Sequence, residues 1–307
     1  MKEIKKTAII GMGALGILYG SYIQQACGEE SVEFVMNEER VEKYRDTVFS
    51  CNGEKKKFKL VSQQEAEPAD LLIVAVKYTG LKEALTTMAG CVGEDTIIIS
   101  VMNGINSEEI IGKAFGLEKI VYTVAQGMDA MKFGSDLKYT RMGQLHIGKT
   151  EFCEQEKLNR LVAFFEKIHM PYVLEEDILY RMWCKFMLNV GLNQTCMVYG
   201  VNYSQVLAKG EPNRTMVSAM REVVALAQAE GVKLTEKDLN YYVELIETLN
   251  PEGTPSMGQD RINKKASEVD MFAGVIMELA EKDHLLTPVN EFLYQRVKEI
   301  EKEYVRG

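Results

Sequence analysis

Continuous apolar runs mark the first half of the chain, at Thr7–Ile10, Val32–Met36, Leu71–Val76, Thr96–Met102 and Lys119–Val124. Strands without polar alternation are covered on both faces, as in a parallel sheet flanked by helices. Between several of them the period lengthens to that of a helix, at Ala14–Gln25, Leu81–Ala89 and Ser107–Ala114, with Ser107 placed to cap the last. Gly143–Gly148 reads as a further strand between glycines, and Tyr172–Leu174 as the strand that closes the sheet. From Asp177 onward helical periodicity takes over, at Ile178–Asn193, Asn213–Glu230, Glu236–Leu249, from near Ser256 to about Lys282, and at Pro288–Tyr304. The pattern predicts a mixed α/β domain over residues 1–175 and an all-helical domain over 176–307.

Composition narrows the partners rather than the fold. A net charge of −9 and a pI near 5.2 argue against nucleic acid or an anionic membrane surface as the main partner, while leaving room for a local basic pocket. No apolar run approaches a membrane span, and the basic stretch Met1–Lys6 leads into a glycine turn rather than a signal-peptide cleavage site, so a cytoplasmic setting is expected. The cysteines Cys27, Cys51, Cys91, Cys153, Cys184 and Cys196 are scattered without metal-like or C-x-x-C spacing and read as reduced packing residues. His146, His169 and His284 are too isolated to suggest a zinc site, and no metal is expected. The apolar residues Met216, Val217, Met220, Val223, Val224 and Leu226 would serve a core or a homodimer interface alike.

The most specific local signal follows the first strand: Gly11-Met12-Gly13-Ala14-Leu15-Gly16 is a G-x-G-x-x-G between a strand and a helix. Gly11 allows the tight turn, Gly13 lets the backbone approach phosphates, and Gly16 permits close packing of helix on strand, so the helix N-terminus faces an anion. That arrangement predicts a dinucleotide on a Rossmann-type doubly wound sheet. Ligands of such sheets lie beyond the carboxyl ends of the strands. Lys77 and Asn103-Gly104 stand just after two of them, where they are either ligand contacts or ordinary loop residues.

In the second half, Lys185, Asn189 and Asn193 recur at intervals of four inside an apolar stretch. On a helix they share a face, and asparagine is a poor interior residue, so the stripe is either solvated or functional. Ser256 has capping-box spacing to Gln259, which explains it structurally without excluding a ligand contact. Glu268 lies twelve residues further on, about 18 Å away by rise along one helix, too far for both side chains to serve one small molecule unless the helix is interrupted. By composition alone Glu268 is one of many surface carboxylates.

These blocks together, in this order and across nearly the full length, resemble the ketopantoate reductase (2-dehydropantoate 2-reductase) family, and Leu286–Asn290 resembles the start of its last helix. The resemblance implies reduction of a small 2-keto acid by a reduced nicotinamide cofactor held between the two domains. It implies Lys185 as the general acid and Glu268 as a catalytic residue that orients the others. Asn103, Asn189, Asn193 and Ser256 would then contact substrate, and Gly11, Met12, Gly13, Ala14, Leu15, Gly16, Asn37, Lys77 and Asn103 the cofactor. Members using NADPH commonly carry an arginine after the second strand, where this chain has Asn37 followed by Glu38 and Glu39, and a glutamine where it has Gly80. NADP(H) is the expectation from the family, with NAD(H) as the alternative.

Overall fold

The computed structural model describes residues 2–306, in two compact units, one reaching to Ile178 and the other starting at Leu179. The first holds twelve strands: β1 (Thr7–Ile10), β2 (Val32–Met36), β3 (Phe49–Cys51), β4 (Glu54–Lys56), β5 (Lys59–Ser62), β6 (Leu71–Val74), β7 (Ile97–Ser100), β8 (Tyr122–Gln126), β9 (Met131–Phe133), β10 (Asp136–Lys138), β11 (Gln144–Gly148) and β12 (Tyr172–Leu174). Its helices are α1 (Ala14–Cys27), α2 (Glu38–Tyr44), α3 (Leu81–Met88), α4 (Ser107–Phe115) and α5 (Gln155–Lys167).

The main sheet runs β5-β2-β1-β6-β7, all parallel, with Thr7 of β1 level with Val32 and Leu71. Every residue of β1, β2, β6 and β7 is buried, which is what the uninterrupted apolar runs require. This is the Rossmann strand order, and the chain reverses its direction of travel across the sheet between β1 and β6, the switch point beside which such sheets bind ligands.

Three expectations need correction here. Tyr172–Leu174 does not close the main sheet; it pairs with β11, which runs antiparallel to β8, in a separate three-stranded sheet. The apolar run after Lys119 keeps one bridge to the main sheet, Ile98 to Ile120, before the chain leaves it. A four-stranded sheet β4-β3-β10-β9 was not legible, because its strands are three residues each and β4 is charged and largely exposed. Finally, Ser107 is the first residue of α4 rather than its cap. Asn106 holds the cap position without a side-chain bond to the helix's own amides, and the buried Ser107 hydroxyl lies 2.8 Å from Ser100 Oγ and donates to Glu108 at 2.7 Å.

The second unit is helical: α6 (Ile178–Leu188), a π-helical turn at Asn189–Asn193, α7 (Gln194–Tyr199), α8 (Tyr203–Leu207), α9 (Glu211–Ala229), α10 (Glu236–Glu247), α11 (Ser256–Ile262), a second π-helical turn at Asp270–Gly274, α12 (Val275–Asp283) and α13 (Pro288–Arg306). Met216, Ala219, Met220, Val223, Leu226 and Ala227 of α9 are fully buried and form the spine of this core. The first π turn packs on that spine through Gly191, where a Cβ would come within 2.3 Å of Met220 Cγ and 2.9 Å of the Met216 carbonyl. Trp183 stacks edge-on against Phe186 at 5.9 Å, and Phe186 meets Phe272 of the second π turn at 6.3 Å. The long helix expected from Ser256 to Lys282 is broken: α11 ends at Ile262, and Lys264, at φ +50°, turns the chain before the second π turn.

Candidate active site

In the first unit, the turn between β1 and α1 separates the three glycines by what each would meet. Gly11 has φ +109°, and a Cβ there would lie 2.4 Å from the Ala75 carbonyl oxygen. At Gly16 a Cβ would lie 1.9 Å from the Gly11 carbonyl oxygen. Both positions are closed by the protein's own backbone. Gly13 is different: its backbone is ordinarily extended, at φ −76° and ψ −173°, and the nearest atom to a Cβ would be the Ala75 oxygen at 3.7 Å. Nothing in the fold demands glycine there, so close approach by a ligand is what the residue fits. Gly13 also holds the N-cap position of α1 without a side-chain bond, leaving the first-turn amides for an anion. The turn fits a dinucleotide pyrophosphate.

Around it, Lys77 is exposed three residues beyond β6, and Asn103 is half-buried three residues beyond β7. The two loops are tied together by Asn106, which donates to the Tyr78 hydroxyl at 3.2 Å. Asn37 follows β2 and each end of its amide is engaged once: its Oδ1 accepts from Arg40 N at 2.9 Å to cap α2, and its Nδ2 donates to Glu83 Oε1 at 2.9 Å.

In the second unit the predicted stripe is carried by α6 and the π turn that follows. On an α-helix each residue turns about 100°, so a spacing of four overshoots one turn by ~40° and residues eight apart drift by ~80°. A π turn closes i→i+5 bonds and holds more residues per turn, so its step of four undershoots by ~30°. The two offsets oppose, so in ideal geometry the π turn brings Asn193 closer to the line of Lys185 than an unbroken α-helix would. Lys185 and Asn189 are half-buried, while Asn193 is buried and donates from Nδ2 to Ser256 Oγ at 3.1 Å. Pro255, not Ser256, is the cap of α11, so the capping-box reading fails and the Ser256 hydroxyl is engaged by Asn193 instead.

Two residues that sequence reading passed over hold this arrangement. Arg261 of α11 donates from Nη1 to the carbonyls of Met197 and, at 2.8 Å, Val198, satisfying the C-terminal end of α7 with a cation and fixing α11 against the helix that follows Asn193. Gln194, fully buried, donates to the Val190 carbonyl at 2.8 Å in the first π turn and to Asn290 Oδ1 at 3.2 Å, and accepts from Ala273 N at 3.1 Å in the second. One amide thus stitches both π turns together, and π turns need such partners because they interrupt the α-helical ladder. Glu268 precedes the second of these turns, its carbonyl accepting from Met271 N at 2.9 Å. Because α11 ends at Ile262, the 18 Å objection to Ser256 and Glu268 acting on one molecule no longer applies.

Burial pushes the thiols of Cys91 and Cys196 up to about 12 and those of Cys153 and Cys184 up to about 11, which makes them packing groups rather than nucleophiles. Among the described residues, no group of three or more His, Cys, Asp or Glu could hold a metal ion. No helix among them is long and apolar enough to cross a membrane.

The model of "Ketopantoate reductase PanE/ApbA" matches residues 7–151, and that of its C-terminal domain matches residues 177–301. The chain belongs to the ketopantoate reductase family. Among its relatives is the 2-dehydropantoate 2-reductase of Aquifex aeolicus, 27% identical over 305 residues and covering 96% of each chain. The fold is that of a PanE/ApbA family ketopantoate reductase from Ralstonia eutropha JMP134, at TM-score 0.82, 23% identity and coverage of 97% of this chain and 99% of that one. It is also that of a D-mandelate dehydrogenase in complex with NADH, at TM-score 0.86, 23% identity and the same coverage. The family carries oxidoreductases, and the glycine turn of this member suits a nicotinamide dinucleotide.

Proposed function

We propose that this member of the family reduces 2-dehydropantoate to pantoate, in the cytoplasm and in the service of pantothenate and coenzyme A synthesis. The observation that carries the reading is the presence in one chain of a ligand-suited Gly13 and of the residues Lys185, Asn189, Asn193 and Ser256, the last two hydrogen-bonded to each other. The glycine turn would grip the pyrophosphate, the portion that NADPH and NADH have in common, with Lys77 and Asn103 at the ends of neighbouring strands as further contacts. A bound reduced nicotinamide supplies the hydride. Negative charge develops on the carbonyl oxygen during that addition, and Lys185, as an ammonium, would both stabilise it and deliver the proton. Asn189, Asn193 and Ser256 would hold the substrate's hydroxyl and carboxylate, and Glu268 would orient the catalytic groups. In this role the bond from Asn193 to Ser256 fixes two polar groups before substrate arrives, so little ordering cost remains at binding.

A reductase of another branched 2-keto acid is the second reading, favoured by the fold likeness to a D-mandelate dehydrogenase. A nicotinamide-binding protein without catalysis is the third, and the presence of Lys185, Asn189, Asn193, Ser256 and Glu268 together argues against it. Lys185→Ala separates catalysis from binding. Turnover should fall by roughly 10²–10⁴, the usual worth of a general acid, with cofactor affinity unchanged. Unchanged turnover would remove Lys185 from the mechanism.

A further inference from the structure

The end of β2 is where a doubly wound sheet meets the adenosine ribose, and an acidic residue there normally accepts hydrogen bonds from the ribose 2′-hydroxyl. In this chain no acidic residue ends β2; Asn37 stands there. Yet a carboxylate reaches the same place from a different element. Glu83, in the first turn of α3, receives the Asn37 amide at 2.9 Å, and the other end of that amide is locked by the cap bond to Arg40 N. Asn37 is therefore a bracket, its amide oriented by one bond at each end, and it holds Glu83 in place. The group it fixes is an exposed carboxylate with a second oxygen beyond the one that Asn37 engages.

We infer that Glu83 is the specificity-determining residue for the cofactor and that it selects NAD(H) over NADP(H). This rests on the dinucleotide reading of the glycine turn. A carboxylate held at the strand end accepts from a free ribose diol, whereas a 2′-phosphate placed against it meets like charge, reinforced by Glu38 and Glu39 in the first turn of α2. Arg40, Lys77 and Lys82 are exposed cations of the same stretch, and the side chain that Asn37 engages is the acid Glu83. The preference runs against the NADP(H) expectation that the family resemblance brings.

The test is a titration of the purified protein with NADH and, separately, NADPH, read by the fluorescence of the bound nicotinamide with no keto acid present. The wild type should bind NADH at least about ten-fold more tightly, the scale of one like-charge contact near a protein surface. Glu83→Gln keeps an acceptor for Asn37 and removes the charge, so it should weaken NADH, tighten NADPH and bring the two affinities to within a few-fold of each other. Tighter binding of NADPH by the wild type, or an unchanged ratio in Glu83→Gln, would overturn the inference. Binding of neither cofactor would instead overturn the dinucleotide reading beneath it.

Discussion

Replacing Gln194 by leucine tests whether the two π turns are held by one side chain. The substitution keeps the volume and removes every polar atom, at a residue with no exposed surface. It deprives the Val190 carbonyl, the Ala273 amide and Asn290 Oδ1 of a partner at 2.8, 3.1 and 3.2 Å. A buried group left without its partner costs about 1–3 kcal/mol, and the leucine recovers part of that by apolar transfer, so the expected loss is about 3–6 kcal/mol. Against the roughly 5–15 kcal/mol of a typical domain that is a large fraction. The chain's single tryptophan, Trp183, lies in α6 just before the first π turn, so urea unfolding followed by its fluorescence reports on this unit. Asn290→Leu should be less than additive with Gln194→Leu, because the two remove a shared bond. A loss under about 1 kcal/mol for Gln194→Leu would refute the reasoning, since no comparable group could then be buried unpaired.

The glycine turn gives a paired prediction. Gly13→Ala has room within the protein, so its unfolding free energy should fall by no more than the cap preference of glycine over alanine, about 1 kcal/mol, while cofactor affinity drops about ten-fold or more. Gly16→Ala should lose stability and affinity together, because its Cβ would overlap backbone; an undiminished affinity in Gly13→Ala would sink the pyrophosphate assignment. For the thiols, burial favours the neutral form, so a group near 11 holds roughly one thiolate in a thousand at pH 8. The native protein should give one fast equivalent with a disulfide reagent, from the exposed Cys27, and six after unfolding. A second fast thiol in the native state would contradict the packing described.

The sheet was legible where hydrophobicity was continuous. Runs such as Leu71–Val74 and Ile97–Ser100 are apolar because both faces are covered, and the strand order follows from the glycine turn and the α/β alternation. Short strands such as Glu54–Lys56 carry no such imprint, since their pairing is decided by a partner far along the chain, here through Phe49–Cys51 to Asp136–Lys138. The spacing of Lys185, Asn189 and Asn193 pointed to a shared face, but the π turn that aligns its ends depends on Gly191 meeting α9 and on Gln194 meeting Ala273. Those are tertiary contacts, invisible to periodicity. The break between Ser256 and Glu268 was equally hidden, because nothing in Asn263-Lys264-Lys265 interrupts a helical pattern as proline would. Glu83 escaped notice for a related reason: in sequence it is an ordinary first-turn acid of a helix, and its meeting with Asn37 exists only in the fold.

The most direct test of the central claim is steady-state oxidation of NADH and NADPH by the purified protein with ketopantoate as substrate, set beside other branched 2-keto acids. The account predicts efficient turnover of ketopantoate, higher with NADH than with NADPH, and little with the other acids. Absence of ketopantoate turnover in protein that binds the cofactor would contradict it.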